Sequence, residues 1–175
     1  MACTSEIPGT PTPGNQPSAT SRATIPGGGG TSGTPSGTNN PGANASPIKG
    51  LDPCTLLSAD EASAFGAAAG TRKDGLSDAV RGCRWTASGQ YSIQVDLFDE
   101  NGINDVEATG EKKPVPTVGK HQAIQFLYGP SCTISLAINE TSRVDVAVAS
   151  GNDTTKACGI AMQVAQKVEP KLPGS

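Results

Sequence analysis

Apolar and polar residues alternate with a period of two in a series of short segments between residues 80 and 149. In Tyr91–Leu97, the side chains of Tyr91, Ile93, Val95 and Leu97 share one face while Ser92, Gln94 and Asp96 share the other. That is the pattern of a strand packed on one side and wetted on the other. Val80–Thr86 precedes it across Ala87-Ser88-Gly89-Gln90, and the two runs predict a hairpin. Three further strands are predicted over His121–Tyr128, Cys132–Ile138 and Arg143–Ala149. Their connections, Gly129-Pro130-Ser131 and Asn139-Glu140-Thr141-Ser142, are short enough to require antiparallel neighbours.

The period changes at both ends of this region. Ser58 and Glu61 have capping-box spacing and predict a helix that carries Ala62, Phe65 and Ala69 on one stripe and ends near residue 69. After Gly151-Asn152-Asp153-Thr154, Ala157 or Cys158, Ala161, Val164 or Ala165, and Val168 recur at helical spacing until Pro170 stops them. Residues 99–117 show no period and read as a long excursion with a short helix near Asp105. The expected fold is therefore α+β, an antiparallel sheet of about five strands packed by an N-terminal and a C-terminal helix.

Composition divides the chain near residue 50. Gly, Pro, Ser and Thr fill 32 of the first 50 positions, and none of the six aromatic residues lies there. Such a stretch buries too little apolar surface to offset the entropy of ordering it, so residues 1–50 are expected to be a disordered tether and residues 51–175 a single domain. The Gly27-Gly28-Gly29-Gly30 run has no Lys-Ser/Thr after it and is linker rather than phosphate loop. The domain carries 11 basic and 15 acidic residues, a balance that argues against a nucleic-acid surface. No apolar run approaches the ~20 residues a spanning helix needs.

Five cysteines leave one unpaired. Cys3 stands apart at the start of the tether, and Ala2-Cys3 is similar to the end of a bacterial lipobox, in which a small residue precedes the acylated cysteine. Cys3 is accordingly the expected lipidation site, with Met1 standing where a signal peptide was removed. Cys54, Cys83, Cys132 and Cys158 remain for two disulfides. Four cysteines allow three pairings and spacing alone does not choose among them. Cys54–Cys83 with Cys132–Cys158 is favoured, because each bond would fasten a terminal helical region to a strand.

Several of these residues together resemble a known group. Asp52-Pro53-Cys54 is followed by Leu57-Ser58-Ala59-Asp60-Glu61, then Cys83-Arg84-Trp85, a central Cys132, and Cys158 in a closing helix that ends near Leu172-Pro173. This ordered set, over about residues 50–173, resembles the actinobacterial lipoproteins grouped as domain-of-unknown-function family 3558. The resemblance implies an extracytoplasmic lipoprotein with this cysteine framework, held at the outer face of the cell membrane. It brings no catalytic residue.

The search for chemistry is mostly negative. His121 is the single histidine, which excludes a multi-histidine metal site, and no G-x-S-x-G is present. At the start of a strand, His121 reads as a strand-end histidine. No pair of cysteines has C-x-x-C spacing, so they read as structural. Asp96, Asp99, Glu100, Asp105 and Glu107 form a loose acidic cluster without the spacing of a calcium loop. No catalytic residue, metal or cofactor is expected. The candidates for a ligand groove are Trp85 and Arg84. Trp85 alternates with Arg84 and shares a side with Cys83, so its simpler reading is a core residue beside a disulfide, with Arg84 solvated on the opposite side. The expected function is a non-enzymatic binding or interaction module, attached to the membrane through its lipid and taking an envelope protein, glycan or lipid as ligand. The alternatives are a carbohydrate-active hydrolase built on carboxylates and a structural or assembly lipoprotein.

Overall fold

In a computed structural model of the chain, residues 45–74 and 80–174 are described, with the side chain of Val80 excepted. Seven strands form one wholly antiparallel sheet: β1 (Thr71–Asp74), β2 (Val80–Ala87), β3 (Tyr91–Phe98), β4 (Lys113–Val118), β5 (His121–Tyr128), β6 (Ser131–Ala137) and β7 (Arg143–Ala149). Their spatial order is β1-β2-β3-β7-β6-β5-β4. The last strand in sequence thus lies at the centre, beside β3, and the chain after β3 must cross to the far edge before β4.

Two of the seven strands have no counterpart among the five expected from sequence, and both are edges. Every residue of β1 is exposed, and β4 buries only Val118. An edge strand wetted on both faces has no apolar alternation to read. Pro114 and Pro116 further disguise β4, yet two residues apart on an edge they are tolerated because the outward N–H groups pair with nothing.

One face of the sheet carries the core. Ile93, Val95 and Leu97 of β3, Ile134 and Leu136 of β6, and Val144, Val146 and Val148 of β7 are all fully buried there. Across this face lies α2 (Thr154–Val168), whose Ala157, Ala161, Val164, Ala165 and Val168 are buried. Small residues on that stripe let the helix sit close to β6 and β7, and each buried valine stabilises by roughly 1.5–3 kcal/mol. Asp153 starts the helix by accepting the Lys156 backbone N–H at 2.9 Å.

The N-terminal helix expected to reach residue 69 and cover the sheet is not there. Its start signal works: Ser58 Oγ accepts from Glu61 N at 3.2 Å and Glu61 Oε2 accepts from Ser58 N at 2.8 Å. But α1 spans only Ala59–Ala64, buries only Ala62, and is ended by Gly66 at φ +67°. Gly66 takes the left-handed cap conformation, in which Gly66 N donates to the Ser63 carbonyl at 2.8 Å and Ala67 N to that of Ala62 at 2.9 Å, and the weak apolar stripe does not hold a further turn. The neighbouring part of the core is covered instead by irregular chain that includes Ile48, Leu56 and Leu57, all buried. Arg81 pins this segment by donating to the carbonyls of Ile48 at 2.9 Å and Leu51 at 2.6 Å while it pairs with Asp99 at 2.9 Å.

Of the three possible pairings, the cysteines form Cys54–Cys83 and Cys132–Cys158, separated by 29 and 26 residues. The first ties the N-terminal segment to β2 and the second ties α2 to β6. The chain end is held by polar contacts. His121 Nδ1 lies 3.0 Å from Glu169 Oε1 and its Nε2 lies 3.1 Å from the Pro173 carbonyl, with Lys120 N donating to Glu169 Oε1 at 2.9 Å.

Candidate functional site

Alternation sends the other half of each strand to the face opposite α2. In register across the sheet, Gly82, Asp96, Asp145 and Ser135 form one row; Arg84, Gln94, Ala147, Thr133 and Phe126 form the next; Thr86, Ser92, Ala149, Ser131 and Tyr128 form a third. This face is concave and encloses a groove of about 900 Å³. Its floor is small in the middle, where β7 contributes Ala147 and Ala149. Phe126 and Tyr128 wall one side; Arg84 and Lys73 stand on the other. The crossover after β3 closes one end with Asn101, Asp105 and Glu107.

Arg143 builds that end. Its Nη1 donates to the carbonyls of Asn101 at 3.0 Å and Gly102 at 3.1 Å, which fixes the path of the crossover. Its Nε donates to Asp145 Oδ1 at 3.1 Å and Oδ2 at 3.2 Å, and its guanidinium lies 3.7 Å over the Phe98 ring. Ser135 Oγ donates to Asp145 Oδ1 at 2.6 Å. Asp145 is 6% exposed, so Arg143 and Ser135 occupy a carboxylate that has almost no contact with solvent. Burial pushes the Asp145 carboxyl above its usual range, against the opposing pull of Arg143 and Ser135.

Asp96, opposite Asp145 in the register, is held differently. Its two oxygens accept from the single amide nitrogen of Gln94, at 3.0 and 2.8 Å, and Gln94 Oε1 in turn accepts from Arg84 Nε at 3.0 Å and Nη2 at 2.6 Å. Burial first, and then the charge of Asp145, push the Asp96 carboxyl up to about 6, while the Gln94 hydrogen bond works the other way. Room for this side chain exists because residue 82 is glycine. A Cβ there would lie 2.2 Å from Asp96 Oδ1 and 2.5 Å from the Lys73 carbonyl.

The sequence-derived candidates separate at this point. Arg84 lines the groove, where the solvated reading had left it without a task. Trp85 does not: it is 1% exposed on the core face, packed so closely that a Cβ on Gly70 would meet its Nε1 at 2.6 Å and Cys83 Sγ at 2.8 Å. The period-two alternation that gives Arg84 to the groove takes Trp85 away from it. His121 is buried at the C-terminal contact and is not at the groove. Of the acidic cluster, Asp96, Asp105 and Glu107 line the groove, whereas Asp99 pairs with Arg81. Cys3 lies outside the described residues. Among the described residues, no group of three or more His, Cys, Asp or Glu could hold a metal ion.

Gln94, Thr133, Asp145, Phe126 and Tyr128 also line the groove, and none of them stands in a sequence motif. Asp145 sits in the polar phase of the Val144/Val146/Val148 alternation and so reads from sequence as a wetted residue; only the strand order puts it on a central strand, where a buried acidic side chain needs a partner.

Two disulfides are the mark of an oxidising, extracytoplasmic compartment. Among the described residues, no helix is long and apolar enough to cross a membrane. With this framework in view, comparison with protein families gives a match over residues 1–171 to the family described as "Protein of unknown function (DUF3558)", and the chain belongs to that family. No curated protein and no solved structure matches it.

Proposed function

We propose that the chain is a lipoprotein acylated at Cys3 and displayed outside the cell membrane, whose domain binds an envelope ligand in the concave groove without transforming it. One observation carries the binding reading. Asp96 is an ionisable carboxylate kept at the floor of an open groove, at a cost in folding free energy, and only a single amide nitrogen donates to it. An ionisable group held at such cost in a cleft is a candidate for a functional role.

Two neighbouring carboxylates also invite a hydrolase reading. Paired-carboxylate hydrolysis needs both groups open to the scissile bond. Asp145 is closed off by Arg143 and Ser135, so of these two neighbours only Asp96 is open to the groove, which supports binding over turnover by this pair.

The test is titration of the ¹⁵N-labelled full chain with a soluble enzymatic digest of bacterial cell envelope. Amide shifts confined to Gln94, Asp96, Tyr128, Ser131 and Thr133 are expected. Shifts scattered over the surface, or none, overturn the groove as the site. Mass spectrometry of protein expressed behind a lipoprotein signal peptide tests the anchor, and an unmodified Cys3 overturns it.

A further inference from the structure

We infer that the groove takes an uncharged carbohydrate, one ring lying over the Ala147/Ala149 trough and a neighbouring ring stacked on Tyr128; this rests on the groove being the binding site. The geometry sets the size of the ligand. Ser92 and Ser131 both lie opposite Ala149, and Gln94 and Thr133 both lie opposite Ala147. With strands spaced about 4.8 Å apart, the polar groups flank the alanines at a separation of roughly 10 Å, and the two rows are roughly 7 Å apart along the strands. A pyranose ring with its hydroxyls fits such a frame, and a helix or an extended polypeptide with full side chains does not.

The chemistry of the frame is that of a polyol partner. Hydroxyls at Ser92, Ser131 and Thr133 each donate and accept, the Asp96 carboxylate accepts, and Arg84 donates. Thr133 supplies an independent observation. Thr133 is 4% exposed, yet among the described residues its hydroxyl has no hydrogen-bond partner, and no fully buried polar side-chain atom among them is left unsatisfied. The Thr133 oxygen is therefore not fully buried, and on a residue that lines the groove it offers a donor and an acceptor to a ligand. Tyr128 is the single large hydrophobic residue among those described that is strongly exposed, at 61%, and it stands at the groove wall. A tyrosine face presents apolar area to the C–H face of a sugar while its hydroxyl stays wet.

Other ligand classes fit less well. An acyl chain needs an apolar slot, and here Asp96, Gln94, Ser92, Ser131 and Thr133 line the floor. An anionic polymer would meet Asp74, Asp96, Asp105 and Glu107 against Lys73 and Arg84, since Arg143 is engaged with Asp145, two carbonyls and Phe98.

The experiment titrates the full chain separately with maltotetraose, cellotetraose, mannotetraose and chitotetraose, with spermidine as the cationic probe and with dihexanoylphosphatidylcholine below its micellar concentration as the lipid probe. Expected is a shift of the Ser92, Tyr128 and Thr133 amides by at least one tetrasaccharide. Tyr128→Ala should weaken it on the order of tenfold and Thr133→Val similarly. Both variants are checked for an unchanged spectrum elsewhere. If spermidine or the lipid moves those amides and no tetrasaccharide does, the carbohydrate class is overturned while the groove stands. If the envelope digest moves them and no tetrasaccharide does, the class is likewise overturned. If nothing moves them, both readings fall.

Discussion

Asp96 and Asp145 face one another across β3 and β7, two carboxylates in register on neighbouring strands, and the protein treats them oppositely. Asp145 is given an arginine and a hydroxyl; Asp96 is given one glutamine amide. Like charges directly opposite in a sheet destabilise it. The pair therefore sets a pH dependence that can be measured.

Asp96 is raised from 3.8 to about 6 by folding. The folded protein retains a proton that the unfolded chain has already released, so this contribution to stability is fully present below pH ~4 and is lost as the pH rises through ~6. Asp145, also raised, acts in the same direction. Asp96→Asn should stabilise the protein at pH 7 by up to about 3 kcal/mol and by little at pH 4. Urea denaturation at the two pH values checks it; an equal effect at both would show that Asp96 titrates normally. The same substitution should weaken ligand binding, which would explain why the costly acid is kept.

Arg143→Met leaves Asp145 buried beside a single hydroxyl and frees the carbonyls of Asn101 and Gly102. A loss of about 3–5 kcal/mol is expected, as for other buried pairs broken on one side. Because the same arginine holds the crossover, hydrogen exchange over residues 99–107 should accelerate by more than in β7. Uniform acceleration would mean that Arg143 acts only through Asp145.

Gly82→Ala brings a methyl group against both Asp96 and the Lys73 carbonyl. The carboxylate can move, whereas the backbone oxygen cannot. A destabilisation of about 1–3 kcal/mol follows, with β1 loosened from β2. Thermal denaturation measures the first, and exchange of the Arg72 and Lys73 amides measures the second. An unchanged melting temperature would mean that the Lys73 carbonyl does not lie against residue 82 in solution.

Replacing Cys54 and Cys83 together by alanine should cost about 3–4 kcal/mol through the entropy of the released loop, and replacing Cys132 and Cys158 should cost nearly the same. The two losses should differ in what they expose. Without Cys54–Cys83 the irregular N-terminal segment has no bond to β2 except through Arg81, so limited proteolysis near residues 48–57 should appear first. Without Cys132–Cys158, α2 keeps its buried stripe and should remain protected.

The elements that bury one face were legible from residue pattern alone: β5 and β7 have the expected limits, and β2, β3, β6 and α2 differ from them by a residue or two. The strands that were missed, β1 and β4, bury nearly nothing and so leave no alternation. The N-terminal helix was overread because a capping box specifies where a helix starts and says nothing of how far it runs. The groove was half legible. Alternation around Tyr91–Leu97 placed Gln94 and Asp96 on the face away from the core, but only the strand order shows that β3 and β7 are neighbours, and with that the meeting of Asp96 and Asp145. Alternation put Trp85 on the core side with Cys83 and Arg84 on the opposite side, but nothing in the residue pattern shows that this opposite side forms a groove. The aromatics that line the groove are Phe98 of β3 and Phe126 and Tyr128 of β5, and the two on β5 share one parity along their strand.

The two prolines of β4 reach beyond the fold of one molecule. Sheets grow by pairing the free edge of one copy with that of another, and an edge with open N–H groups is a template for doing so. At Pro114 and Pro116 those donors are missing at alternate positions, and at the other edge β1 offers four residues, among them Arg72, Lys73 and Asp74. Both features oppose pairing of one copy's sheet edge with another's into a continuous ribbon.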